Sequence, residues 1–256
     1  MGNFTKESVA AAITTAPTRT EGKTVTFNKA GDVTVSDYDG SINWEEVSTT
    51  AVDLNLDQKK YFAFSVDDVD AVQASGDMVD TFVSNASGSI QEEVDSYVFG
   101  LYTEAHEDNV IGDDTEPESV TKDNAYDYIV DLGTKLSKKK VPKNDRYVVV
   151  NAEYLGLLSK DDRFSSNPTV LENGVVEGQV INGMQVVVSE ELSTNENGDY
   201  KVIAMHRSAI GHDTQVDDVE ALRLESQFAD GVRGLSVYGA TALRPEAMAV
   251  LTASIG

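Results

Sequence analysis

Residues Asp77–Leu101 read DMVDTFVSNASGSIQEEVDSYVFGL, and this stretch decides how the rest of the chain is organised. Met78, Val79, Phe82, Val83, Ala86, Ile90, Val94, Tyr97, Val98 and Leu101 recur at steps of three and four, the period of an amphipathic helix. The pattern predicts a helix of roughly 28 residues, roughly 40 Å long at about 1.5 Å per residue. Such a helix is long for a globular core, and Gly88 in its middle marks a bend or a close contact.

Ahead of the helix, Lys23–Gly40 reads KTVTFNKAGDVTVSDYDG. Val25 and Phe27 alternate with threonines, NKAGD supplies a turn, and Val33 and Val35 alternate again, which predicts a β-hairpin. Its apolar face is thin, so the hairpin is expected to project and to be stabilised by something else. Val52, Leu54 and Leu56 alternate, and Tyr61, Phe62 and Phe64 lead into Val66, as strands returning to the body. Residues 1–20 are rich in Ala and Thr and read as an arm with a short helix around KESVAAAI.

Beyond the helix, HEDNVIGDDTEPES is an acidic loop. A second helix is predicted from near Lys122 through Tyr126, Ile129, Val130 and Leu136, with lysines at its C-terminal end and Pro142 stopping it. Strand RYVVVN, short helix AEYLGLLS, the β region GVVEGQVINGMQVVVS and strand YKVIAMH follow. Last come LRLESQ and GLSVYGATALR, with Pro245 before a short helical tail. The class is α+β without βαβ alternation.

Composition excludes several functions. The chain has no cysteine, which removes disulfides, thiol nucleophiles and cysteine-ligated metals. The formal charge of −24 repels nucleic-acid phosphate, and no Lys or Arg occurs between Lys60 and Lys122. No apolar run reaches membrane-span length and the start lacks signal-peptide layout, so a soluble intracellular protein is expected.

Chemical motifs fail in turn. EGKT (Glu21–Thr24) has Pro17 where a phosphate-binding loop needs glycine, and GLSVYG has Tyr238 where a nucleophile elbow needs one. His106, His206 and His212 lack metal-ligand spacing. The acidic echoes SVDDVD (65–70) and QVDDVE (215–220) lack the calcium-loop pattern and read as structural, the first at the approach to the long helix and the second at the start of a strand. The run Lys135, Lys138, Lys139, Lys140, Lys143 and Arg146 is explained by its place at a helix C-terminus, and it would also suit a neighbour's carboxylates.

The order of arm, hairpin, long helix, compact α+β lobe and returning strands resembles the major capsid proteins of tailed bacteriophages and related viruses, the HK97-like fold. The strings DYDGSINWEEV, LDQKKYFAFSVDDVDAVQA, VPKNDRYVVVNAEYLGLLSKDDRF, GVVEGQVINGMQVVVS and FADGVRGLSVYGATALRPEAMAVL look like those of this family, and together cover most of residues 20–250. The resemblance implies an N-terminal arm (1–20), an extended loop (21–60), a peripheral domain with a spine helix (61–120), an axial domain (121–215), and returning strands of the peripheral domain with a C-terminal tail (216–256).

It also implies a structural subunit forming hexamers and pentamers of an icosahedral head around double-stranded DNA, with no catalytic, metal or cofactor site. Expected partners are further copies of the chain, scaffolding and portal proteins, and decoration proteins, with DNA enclosed without sequence-specific binding. The place of action is the virion, after assembly in the host cytoplasm. A start almost directly at the arm implies a separate scaffolding protein, or a processed or shortened end at residue 1. The expected subunit-interface residues are Lys23, Val25, Phe27, Lys29, Val33, Val35 and Tyr38 of the hairpin and Lys138, Lys139 and Lys140 of the basic run. Two other readings are an encapsulin-like compartment shell and an acidic metal-dependent hydrolase using the aspartates of 67–80 or 108–118.

Overall fold

The structure is a computed structural model that describes residues 8–21, 24–30, 35, 37–38, 40, 44, 49–67, 77–165, 180–223 and 229–255. Its largest sheet is assembled from β5 (Val110–Ile111), β6 (Glu118–Val120), β7 (Arg146–Val150), β8 (Val180–Ile181), β9 (Met184–Val188), β10 (Tyr200–His206) and β13 (Met248–Ile255). The order is β5-β13-β10-β7-β9-β8, with β6 also paired to β13.

The near-continuous apolar runs RYVVV and YKVIAMH belong to strands covered on both faces. Val148, Val150, Val202 and Ala204 pack against α3 (Ala125–Lys138), which presents Ala125, Ile129, Leu132 and Leu136. The alternate residues Val149, Ile203 and Met205 face a second cluster, which contains Val94, Val98 and Phe99 of α2 (Asp77–Phe99). Each of the buried Val, Leu, Ile, Met and Phe side chains among these contributes about 1.5–3 kcal/mol relative to exposure. α2 continues as a 3-10 turn over Gly100–Glu104, so the apolar period is followed across its whole predicted span, and Gly88 is buried.

The long strands β11 (Ile210–Arg223) and β12 (Ala229–Ala242) pair antiparallel, and β4 (Gln58–Asp67) joins the other side of β12. A further sheet comprises β1 (Arg19–Glu21), β2 (Thr24–Ala30) and β3 (Thr49–Asn55). Two short helices lie beyond β7, α4 (Ala152–Leu158) and α5 (Asp162–Ser165); Asn151 caps α4 by accepting from Tyr154 N at 3.1 Å. Helix α1 (Val9–Ile13) is the predicted short helix of the arm.

Three expectations are corrected. The partners of β2 are β1 and β3, the latter in the register Val25↔Leu54 and Phe27↔Val52, and NKA lies within the strand rather than in a turn. Val52 and Leu54 supply the apolar neighbours that local reading assigned to Val33 and Val35. Secondly, Pro245 opens a 3-10 turn, and the tail is β13 rather than a helix. Six of its eight residues are buried, between β10 and the parallel partners β5 and β6, and that burial outweighs the local helix preference of Met and Ala. Thirdly, QVDDVE lies inside β11, with a register shift between Asp217 and Val219, rather than at its start.

The end of α3 shows how sharply the chain is turned. Val141 N donates to Leu136 O at 3.1 Å and Lys140 N to Ser137 O at 3.0 Å, the paired bonds of a Schellman motif. Lys140 occupies the left-handed position at φ 59°, where glycine is free of the Cβ penalty. Lys140→Gly is therefore expected to stabilise the protein by about 1 kcal/mol, read as a raised midpoint in urea denaturation with an unchanged slope.

Candidate assembly surfaces

Helix α1 is held to α2 through one buried carboxylate. Asp95, 4% exposed, accepts from Ser8 Oγ at 2.6 Å, Val9 N at 3.0 Å and Ala10 N at 3.0 Å. Two of these donors are backbone amides at the start of α1, which have no helical acceptors. Further along, Thr15 N donates to Ile210 O and His212 N to Thr15 O, while Arg207 Nη2 donates to Ala12 O at 2.6 Å. Ala10 and Ile13 complete the attachment inside the second core cluster.

The hairpin residues divide into two groups. Val25 and Phe27 are 0% and 2% exposed and pack with Leu56 and Val237. The Phe27 ring lies over Gly211, where a Cβ would stand 2.7 Å from it. Neither side chain is left exposed for a neighbour, unlike the expectation of Val25 and Phe27 as interface residues, and the support expected from elsewhere comes from Leu56 and Val237 of the same chain. Val35, Tyr38 and Trp44, by contrast, are 95%, 76% and 91% exposed. Lys29 pairs with Thr50 through the backbone, and Lys23 and Val33 lie outside the described residues. Sequence reasoning missed Trp44 as a surface residue; its polar flanks, Asn43 and Glu45, were the available signal.

The sheet β11-β12-β4 has two unlike faces. Toward α2, Phe62 covers Gly234, Phe64 meets Phe82 at 5.8 Å, and Lys60 pairs with Glu93 at 2.6 Å. The other face carries exposed Tyr61 and Ala63 beside the Arg233–Glu220 ion pair at 2.6 Å.

Half of the basic run is committed within the chain, and Lys143 is exposed. Lys139 pairs with Asp108 at 2.5 Å and Lys135 Nζ donates to Asp108 O at 2.7 Å. The Lys139 ammonium holds the Asp108 carboxyl below its ordinary range. Arg146, read as part of a surface patch, is 2% exposed and donates to the carbonyls of Pro142, Gly133 and Val141. Lys138 and Lys140 remain exposed. Among the described residues no three His, Asp or Glu side chains are grouped to hold a metal; Asp68 and Asp70 lie outside them.

The profile of the family described as Phage capsid protein matches residues 49–251, more than three quarters of the chain. The chain belongs to the phage capsid protein family. No curated protein sequence matches it. A solved structure from Mycobacterium phage Che8 is 28% identical, with 98% of this chain and 93% of that one covered at a TM-score of 0.72. The capsid structure of cyanophage P-SCSP1u is 16% identical, covers 100% and 91%, and has a TM-score of 0.69. The SrpI encapsulin of Synechococcus elongatus PCC 7942 is 11% identical over 98% and 89%, with a TM-score of 0.64. The fold of this capsid protein is thus the HK97-like one, and its role is that of a structural component of the virion shell.

In this capsid protein the spine helix and the arm meet at Asp95. Asp95→Ala should cost about 2–3 kcal/mol through the loss of charge-assisted hydrogen bonds. It should also speed protease cleavage within residues 8–18 while the rest of the chain stays resistant.

His212 lies beside the arm contact, 6% exposed, with Nε2 2.8 Å from Thr214 Oγ1. Burial lowers its pKa from 6.5 to about 4. The unfolded chain therefore takes up a proton before the folded one does, and stability present above pH 6.5 is lost as pH falls toward 4. The loss from this group amounts to about 3 kcal/mol. Denaturation midpoints should fall more steeply across that window for the wild type than for His212→Gln, which cannot titrate.

Proposed function

We propose that this capsid protein assembles into hexamers and pentamers of an icosahedral head, enclosing double-stranded DNA without a sequence-specific grip and without catalysing a reaction. One observation carries the reading. The segment between β2 and β3 is anchored at its base by buried Val25 and Phe27, yet exposes Val35, Tyr38 and Trp44. Large exposed side chains on one segment are suited to a neighbouring copy.

In this reading residues 21–60 are the extended loop, 61–120 the peripheral domain with the spine helix, and 121–215 the axial domain, joined there by the C-terminal strand β13. Val35, Tyr38, Lys29, Lys138 and Lys140 contact neighbouring subunits. Lys23 and Val33 are assigned to the same loop contact. The charge of −24 supports a lining that releases packaged DNA rather than binding it. Scaffolding, portal and decoration proteins are the expected partners, and assembly takes place in the host cytoplasm before packaging. The encapsulin likeness, at 11% identity, supports the same fold for a compartment shell, but the family match favours the phage head.

The test separates folding from assembly. Tyr38→Ser combined with Trp44→Ser removes exposed rings only, so the thermal midpoint of the unassembled subunit should stay within about 1 °C, a surface substitution having little effect on stability. Electron microscopy should show shells from the wild type and scattered capsomers or monomers from the double variant. Normal shells from the double variant would remove the loop from the interface.

A further inference from the structure

A cavity of about 380 Å³ lies where α1, the middle of the spine helix and the sheet β11-β12-β4 converge. Its volume is within the roughly 300–1,000 Å³ of small-molecule sites. Ala11, Phe62, Ile90, Val94 and Leu235 give it a mainly apolar wall. Two polar atoms on the same wall have no hydrogen-bond partner, Ser236 Oγ, on a side chain 1% exposed, and Gln91 Oε1. Native proteins leave few such atoms unpaired.

Several other polar groups around the cavity are already engaged, among them the Asp213 carboxylate, which is hydrogen-bonded by Thr214 and Gln215. His212 contacts Thr214 at 2.8 Å, Thr14 Oγ1 donates to Ala10 O at 2.7 Å, and Ser8 Oγ donates to Asp95. No Lys or Arg lines the cavity, so an anion would find no counter-charge there.

We propose that this cavity binds a small uncharged amphiphile, with a flat apolar body against Phe62, Ile90 and Leu235 and an N–H or O–H group donated to Gln91 Oε1. Ser236 Oγ completes a second hydrogen bond. A bound molecule bridges the arm, the spine helix and the sheet, and so holds the arm against the body of the subunit. Any such ligand is recognised by the unassembled subunit, so the site stands apart from the reading of the loop as an interface.

The experiment uses the full-length unassembled chain with benzamide, phenol and indole as probes, each uncharged and carrying one donor group, and benzoate as the anionic comparator. Binding is read by saturation-transfer NMR, and stability and arm protection by thermal shift and limited proteolysis. At millimolar concentration at least one of the three uncharged probes should bind, raise the midpoint and slow cleavage of residues 8–18. Ser236→Ala should weaken benzamide or phenol, which can make both hydrogen bonds, about fivefold, the effect of one hydrogen bond, and leave indole, which has a single N–H, unchanged, without lowering the midpoint of the free protein. Ala11→Leu, which fills the wall, should abolish binding. Absence of binding by all three, binding unchanged in both variants, or equal binding of benzoate would overturn the proposal.

Discussion

The burial of Val94, Val98 and Phe99 at the C-terminal half of the spine helix brings together parts of the chain that lie far apart in sequence. Those three side chains pack in one cluster with Ala10 and Ile13 of the arm, Ile203 and Met205 of the large sheet, and Tyr238 and Ala240 of the long hairpin. Because β10 alternates between this cluster and the one under α3, tight packing on one face fixes the position of the other. The arm can be latched by Asp95 only because the helix that carries Asp95 is itself immobilised one residue earlier, at Val94.

Charge works in the opposite direction from this core. With 44 acidic residues against 20 Lys and Arg, most surfaces of two approaching subunits repel each other. Several of the cations are committed inside the subunit: Lys201, 3% exposed, pairs with Asp114, Lys139 with Asp108, and Arg163 with Asp127 and Asp161. Other cations, Lys138, Lys140 and Lys143 among them, stay exposed, but carboxylates outnumber them, so exposed apolar side chains are expected to contribute to attraction between copies, and salt helps by screening the repulsion.

What the sequence disclosed and what it hid follow from the range of the interactions. The spine helix and α3 were legible because their buried faces repeat every three or four residues, and Lys135 and Lys138 mark the end of α3. The β2–β3 pairing was hidden because Val25 and Leu54 are adjacent in the sheet but separated by a long connecting segment. In the same way, Met248–Ile255 has a composition that suits a helix, and only the gap between β10 and the short parallel strands β5 and β6 makes it a strand. Of the candidate surface, exposed Val35 and Tyr38 could be read from the hairpin pattern. The burial of Val25, Phe27 and Arg146 could not, since Leu56, Val237 and the carbonyls at the end of α3 meet them only in three dimensions.

The likeness of this chain to a cyanophage capsid and an encapsulin at 16% and 11% identity shows how little of the sequence the fold requires. What the core demands is apolar volume at alternating positions, and many residue combinations satisfy that. The features that make one shell differ from another must therefore lie where the core makes no demand: the exposed rings beyond β2, the outer face of β4 and β12, and the free lysines after α3. In the loop this separation runs within a single segment. Val25 and Phe27 pack with Gly211, Leu56 and Val237, so truncating them would disrupt their cluster, whereas Val35, Tyr38 and Trp44 are exposed. Substitutions at the exposed positions are then expected to leave the folded subunit intact, whereas truncations at Val25 and Phe27 are not.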